Sequence, residues 1–362
     1  MLAPVVNDAM DKLTDAYSGI AAIDNFSISC QSIAIAKLTQ DPDWLPPVRV
    51  EIAMLNQDAG AWQLARPAIW APVLASFVNY FSTMSGVADA YDPKGNNETA
   101  VWIKLLQDTL LPAVSNCLKT CQAADLALRT KTSSFSAVLP QLDKSIQAGW
   151  DALGSEEQEM LKLAEQLGGL FQTVQSLGAT LDSDIISSGK DYTQTAVTML
   201  YEAAAAGEAA EIPIVGIVVA VFTIGKSFYD IIKDDDELIA AMDQINKVKA
   251  ALSDEALAVA LTKSTLQTLY SLEAQYLALR DAIPELIDLW TTEQSKVEDA
   301  INALQAGANP NQYLDLLTLP IALADWTSIN DFVGKVINLD ATVGQPVTID
   351  IGKAEIRPTL AA

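Results

Sequence analysis

Apolar positions along the chain fall mostly at spacings of three, four and seven. Such spacings gather residues on one stripe of a helix and predict long helices packed against one another. The first predicted helix covers residues 2–37, with Val6, Met10, Leu13, Tyr17 and Ile20 on its apolar face. The segment DPDWLPP at 41–47 is a break, because proline cannot continue a helix and biases the residue before it away from helical backbone. A short helix is expected at 48–56 and another at 67–90, ending in the turn-forming DPKGNNE at 92–98. Asn97 is placed to cap the next helix, with Glu98 at the positive end of its dipole. That helix has few stops from 99 to 150, and Pro112 and Pro140 are expected to kink it rather than end it. Gly154-Ser155-Glu156-Glu157 reads as a turn and a fresh start. A second long segment follows to about residue 210, weakened at Gly168, Gly169, Gly178 and Gly189 by about 1 kcal/mol each relative to alanine.

Helix is expected again over 238–304. Its best stretch is Leu269, Tyr276, Leu279, Ile283, Leu286, Trp290, Val297, Ile301 and Leu304, the spacing of a seam packed against a second helix. A helix of about fifty residues is on the order of 75 Å long, so these segments predict an all-α, elongated bundle of long helices lying side by side. A loop at 307–311 precedes a further helical piece at 312–336. The tail alternates at Val347, Ile349 and Ile351, and reads as a short strand followed by a turn at Gly352-Lys353. No internal repeat is visible.

One segment departs from this pattern. Residues 212–224, IPIVGIVVAVFTI, carry no charge between Glu211 and Lys226. The run is shorter than the roughly 20 residues of a transmembrane helix. Ile214, Val215, Ile217, Val218, Val219, Val221, Thr223 and Ile224 are β-branched and favour strands, and Pro213 and Gly216 argue against one regular helix. The small-residue stretch AAAAGEAAE at 203–211 precedes it. Together, 203–224 would cross about 30 Å if helical. Glu208 and Glu211 oppose that, since a charge at the bilayer centre costs roughly 2.5–3.5 kcal/mol on insertion scales. Three readings stay open. The run is a permanently buried core segment of a helical scaffold or interaction protein. Or it is a constitutive anchor, a poor fit for one short span with no adjacent polybasic stretch. Or it is an element held against the bundle in the soluble form and inserted into a membrane later.

Composition narrows the function. Half of the 362 residues are hydrophobic, enough for a large core in one or two domains. A net charge of −24 excludes nucleic acid as a partner, because affinity there comes from Lys and Arg neutralising phosphates. The absence of histidine excludes His-based triads, His metal ligands and the helical di-iron pattern. Cys30, Cys117 and Cys121 read as buried small hydrophobes rather than a zinc site or a disulfide framework. Asp234-Asp235-Asp236-Glu237 lacks the spacing of a Ca²⁺ loop and reads as a solvated helix start. Ser133-Ser134 and Ser187-Ser188 have no recognisable base, and neither GSEEQE nor GGLFQT has the lysine of a phosphate loop. Trp44, Trp62 and Trp70 fit a lipid or receptor surface or, more ordinarily for Trp, the core. No catalytic residue, cofactor or metal is assigned, and an enzyme is not expected. The start, MLAPVVNDAMDKL, lacks the basic region and apolar core of a Sec signal, so action outside the producing cell implies another export route or release by lysis.

The arrangement resembles the α-helical pore-forming toxins of the cytolysin A superfamily, which include tripartite haemolytic enterotoxins, the A component of xenorhabdolysin-type binary toxins and a helical nematicidal crystal protein. The residues that carry the resemblance are the long helical segment from 99 to about 206, the apolar region 203–229, the seam over 238–304, and WIKLLQDTLLP at 102–112, which is similar to a Trp-and-Pro segment of several members. The resemblance implies a tail bundle formed by 1–202 and 230–362 and a hydrophobic head hairpin at 203–229. It implies that Ile212, Ile214, Val215, Ile217, Val218, Val219, Val221, Phe222 and Ile224 insert into a target-cell membrane. It further implies a homo-oligomeric pore and a second toxin component as partner.

Overall fold

The computed structural model describes residues 2–32, 41–91, 97–152, 198–203, 217–224, 282–313, 318–341, 345–350 and 355–358, with eight further helical positions between 239 and 277. Among the described residues the fold is helical with one small sheet. Its elements are α1 (Val6–Ser32), α2 (Leu45–Asp89), α3 (Thr99–Leu105), a π turn (Leu106–Leu110), α4 (Leu111–Ala152), β1 (Thr198–Ala203), β2 (Ile217–Ile224), α5 (Ala282–Gln305), the single turn α6 (Pro310–Tyr313), α7 (Thr318–Ala341), β3 (Gln345–Asp350) and β4 (Glu355–Pro358). The chain forms two compact units. One comprises residues 1–20, 65–130 and 277–341, the other 21–64, 131–276 and 342–362.

The break expected at 41–47 is present but shorter, since α2 begins at Leu45. Leu45 N–H bonds back to Pro42 O at 3.0 Å, and Arg49 donates to Asp41 Oδ2 and Oδ1 from its two terminal nitrogens, Nη1 and Nη2, at 2.5 and 2.8 Å. Pro46 and Pro47 lie in the first turn of α2, where a missing N–H costs nothing. The two helices expected at 48–56 and 67–90 are one, and Pro67 and Pro72 stand inside α2. An interior proline costs about 3 kcal/mol. Against that, α2 buries Leu55, Ala59 and Trp62 before the prolines and Ile69, Trp70, Val73 and Phe77 around and after them, each large side chain contributing about 1.5–3 kcal/mol. Both prolines are exposed, so their rings do not interrupt that stripe.

The helix expected over 99–150 is continuous through 152 apart from the π turn, where Leu111 N–H reaches Leu106 O. The wide turn lies immediately before Pro112, whose missing N–H would orphan a carbonyl in a regular helix. Asn97 does not cap α3. Glu98 takes that place without a side-chain bond, and its carbonyl accepts from Val101 and Trp102 N–H, each at 3.1 Å. Asn97 instead donates to Asn311 Oδ1 at 2.7 Å and accepts from Trp102 Nε1 at 3.2 Å, tying the start of α3 to α6.

In the first unit the expected seam is real: Ile283, Leu286, Trp290, Val297, Ile301 and Leu304 of α5 are buried. Leu269, Tyr276 and Leu279 lie outside the described residues. The core is aromatic. Trp290 and Trp326 stack at 5.7 Å and 9°, and Tyr80 meets them edge-on at 5.2 and 4.6 Å. α5 ends at Gly307, φ 96°. Gly307 N–H bonds to Leu304 O and Ala308 N–H to Ala303 O, a Schellman closure that needs the left-handed backbone glycine supplies.

In the second unit Trp44, Leu55, Trp62, Phe135 and Leu142 are buried, and Ser27 Oγ donates to Ala59 O at 3.0 Å. Trp44, Trp62 and Trp70 are all core residues. The turn expected at 154–157, the acidic run 234–237 and the serines 187–188 lie outside the described residues.

Candidate functional site

The apolar run folds as a strand. β2 spans Ile217–Ile224, and its β-branched residues fit the pleated backbone better than a helix. Sequence patterning extended the preceding helix to about residue 210, but Thr198–Ala203 forms β1. The alanines from Ala203 onward suggested helix, while Thr198, Met199, Leu200 and Tyr201 suit a strand once a partner is present. The two strands pair antiparallel from Thr198↔Thr223 to Ala203↔Ile217. One step from Glu202 to Ala203 on β1 spans two on β2, so the register skips Val218. That is a bulge, a device that bends a strand and increases its twist.

The expected C-terminal strand is β3, which contains Val347 and Ile349, and a further strand, β4, follows it. Ile351 and the turn at Gly352-Lys353 lie outside the described residues. The sheet runs β1-β2-β3-β4, antiparallel throughout. β3 covers the free edge of β2 from Val219↔Asp350 to Ile224↔Gln345.

Register sorts the sheet into rows. Glu202, Val219, Asp350 and Glu355 form one row, and Leu200, Val221, Thr348 and Arg357 the next but one. Between and beyond them lie Tyr201, Ala220, Ile349 and Ile356, then Met199, Phe222, Val347 and Pro358. Alternate rows belong to the same face of a sheet. By residue type, one set of rows is apolar and the other holds every charge of these four rows. Of the residues assigned to membrane insertion, Ile217, Val218, Val219, Val221, Phe222 and Ile224 are in β2. Ile212, Ile214 and Val215 lie outside the described residues.

Other chemistry is sparse among the described residues. None of their acidic and cysteine side chains forms a group that would hold a metal ion, and none of their helices is long and apolar enough to cross a membrane. Cys30, Cys117 and Cys121 are buried free thiols. Burial pushes Cys117 and Cys121 up to about 12, and Cys117 Sγ donates to Ser76 O at 3.4 Å. These are structural thiols, protonated at neutral pH. Ser134 Oγ is bonded to Lys131 O at 2.9 Å.

One charged site escaped sequence reading. Glu293 occupies a seam position of α5 between Trp290 and Val297 and is 2% exposed. Lys296 Nζ donates to its carboxylate at 2.6 Å and to Ala3 O at 2.9 Å. Burial raises the Glu293 carboxyl above its ordinary value, and Lys296 only partly offsets this. The pair fastens the N-terminal segment onto α5.

No protein-family profile matches the chain, and no curated protein matches it. Solved structures do. The crystal structure of Motility Associated Killing Factor B from Vibrio cholerae superposes with a TM-score of 0.85 at 31% identity, over 99% of this chain and 100% of that one. A structure titled as the cytotoxin MakB from Vibrio cholerae gives 0.80 at 32% identity, over 93% and 94%. Soluble SmhB of the tripartite α-pore forming toxin Smh from Serratia marcescens gives 0.70 over 93% of each chain. Its 13% identity speaks for the fold alone. Identity above 30% across the whole length of the killing factor, on a fold shared with soluble SmhB, means that this chain belongs to the MakB cytotoxin family.

Proposed function

We propose that the protein is a non-enzymatic, pore-forming toxin component that acts at a target-cell membrane. Residues 203–229 form the membrane-entering head, and 1–202 with 230–362 form the body that carries it. Within the head, Ile212, Ile214, Val215, Ile217, Val218, Val219, Val221, Phe222 and Ile224 supply the apolar surface. Copies then assemble into a homo-oligomeric pore, with a second toxin component as partner, a reading supported by the likeness in fold to components of tripartite toxins.

The observation that carries this reading is β2, an uncharged strand of eight residues in a chain of net charge −24. Alternate apolar rows give the sheet one face that suits lipid and one that suits water. Ordinary core segments are built into a helix or buried sheet for good. A bulged strand in a small sheet has fewer interactions to break.

Dye release from target cells and from loaded vesicles, with the protein alone and with the products of neighbouring genes, tests the activity. Val218→Glu tests the segment. A charge there adds roughly 2.5–3.5 kcal/mol to membrane transfer, which lowers the equilibrium for insertion about a hundredfold. Release at the wild-type rate by a folded Val218→Glu protein would show that this strand is not what enters the membrane.

A further inference from the structure

We propose that the C-terminal strand pair, β3 with β4, is a latch that holds the apolar strand β2 in the sheet, and that its release precedes entry of β2 into a membrane. The latch rests on the reading of β2 as the inserting strand.

The topology carries the argument. β2 and β3 are separated by more than a hundred residues of chain, yet they share six consecutive register pairs, which use the whole of β3. Without β3, β2 would be one edge of a two-stranded hairpin. Such a hairpin is marginal by itself, and an apolar edge strand is a template for pairing with any other chain. The tail therefore supplies β2 with the partner that sequence-local structure does not. This is strand addition made within one molecule.

The far side of the latch is built weakly. β4 pairs with β3 over four positions, and the register sets Asp350 directly opposite Glu355. Like charges opposite one another destabilise a strand pair. The tail lies at the outer edge of the sheet, so it can leave without disturbing β1–β2. Its departure frees the backbone edge of β2 that β3 otherwise pairs, the edge that has to be free before the strand can leave the sheet.

Two measurements on the full chain test this. The first needs no membrane. Adjacent residues of β3 donate to opposite neighbours, so of the two variants Thr348→Pro and Ile349→Pro one removes a donor to β2, and that is the one scored. Hydrogen exchange across 217–224 is expected to rise at least tenfold, with exchange in α5 unchanged. Unaltered protection of 217–224 would overturn the latch. The second uses cysteine pairs at adjacent registers, Val221→Cys with Thr348→Cys and Ala220→Cys with Ile349→Cys. Neighbouring register pairs alternate between hydrogen-bonded and non-hydrogen-bonded geometry, so one of the two suits a disulfide better. With phosphatidylcholine vesicles holding a self-quenched dye, the oxidised protein is expected to release dye at least tenfold more slowly than the reduced protein. Equal rates in both states would overturn the latch while leaving pore formation standing. If the wild-type chain with its neighbouring gene products releases no dye at all, pore formation is what fails, and the exchange measurement alone decides the latch.

Discussion

A methyl group at position 149 would lie 2.5 Å from Trp44 Cδ2 and 2.6 Å from Cε2. Those atoms belong to a buried ring, which has no free end to move aside. Gly149→Ala is therefore expected to destabilise the protein by about 1–3 kcal/mol, although alanine is the better helix former by about 1 kcal/mol. Urea unfolding measures the balance, and an unchanged or raised midpoint would mean that Trp44 has room. Glu293 makes a second prediction at this scale. Its carboxyl sits above the ordinary value of 4.5 because burial outweighs Lys296. The folded state thus binds this proton more tightly than the unfolded chain. Its contribution to stability is greatest in acid and is lost as pH rises from about 4.5 through the raised value. The melting temperature of the wild type minus that of Glu293→Gln should be more favourable near pH 4.5 than at neutral pH. A difference that does not vary with pH would contradict the raised value.

At the scale of elements, the aromatic cluster joins α2, α5 and α7. Trp326 of α7 is fully buried, stacked on Trp290 and edge-on to Tyr80. Trp326→Ala should cost about 3–5 kcal/mol, measured by urea unfolding, and a loss under 1 kcal/mol would show that α7 is held by something else. The seam on α5 was legible in the sequence because it is local: apolar residues three and four apart are neighbours on one helix. Glu293 was not, because a charge at a seam position reads as surface until Lys296 is seen beside it. The prolines of α2 misled for a related reason. Proline marks a stop by its missing N–H, but burial on both sides of Pro67 and Pro72 outweighs that loss. The strand character of β2 was legible from its β-branched residues, and β3 from its alternation. Their pairing was not, since propensity says nothing about which distant strands meet. β1 was hidden because its strand-forming residues run straight into the alanines after Glu202.

For the whole molecule, a net charge of −24 disfavours approach to an anionic lipid surface, so membrane contact has to rest on apolar burial or on another protein. The apolar rows of the sheet all fall in one of the two compact units, on strands from mid-chain and from the C-terminal region. Similarity to the killing factor from Vibrio cholerae covers 99% of this chain, so it takes in both the proposed head and the proposed body. The most direct measurement places an environment-sensitive fluorophore at Val218→Cys, while the buried thiols Cys30, Cys117 and Cys121 stay unlabelled in the folded protein. Emission is followed during dye release, with phosphatidylcholine vesicles whose lipid tails carry a quencher. The expected result is a blue shift with quenching that keeps pace with dye release. Dye release with the fluorophore still unquenched and in water would contradict entry of this strand into the membrane.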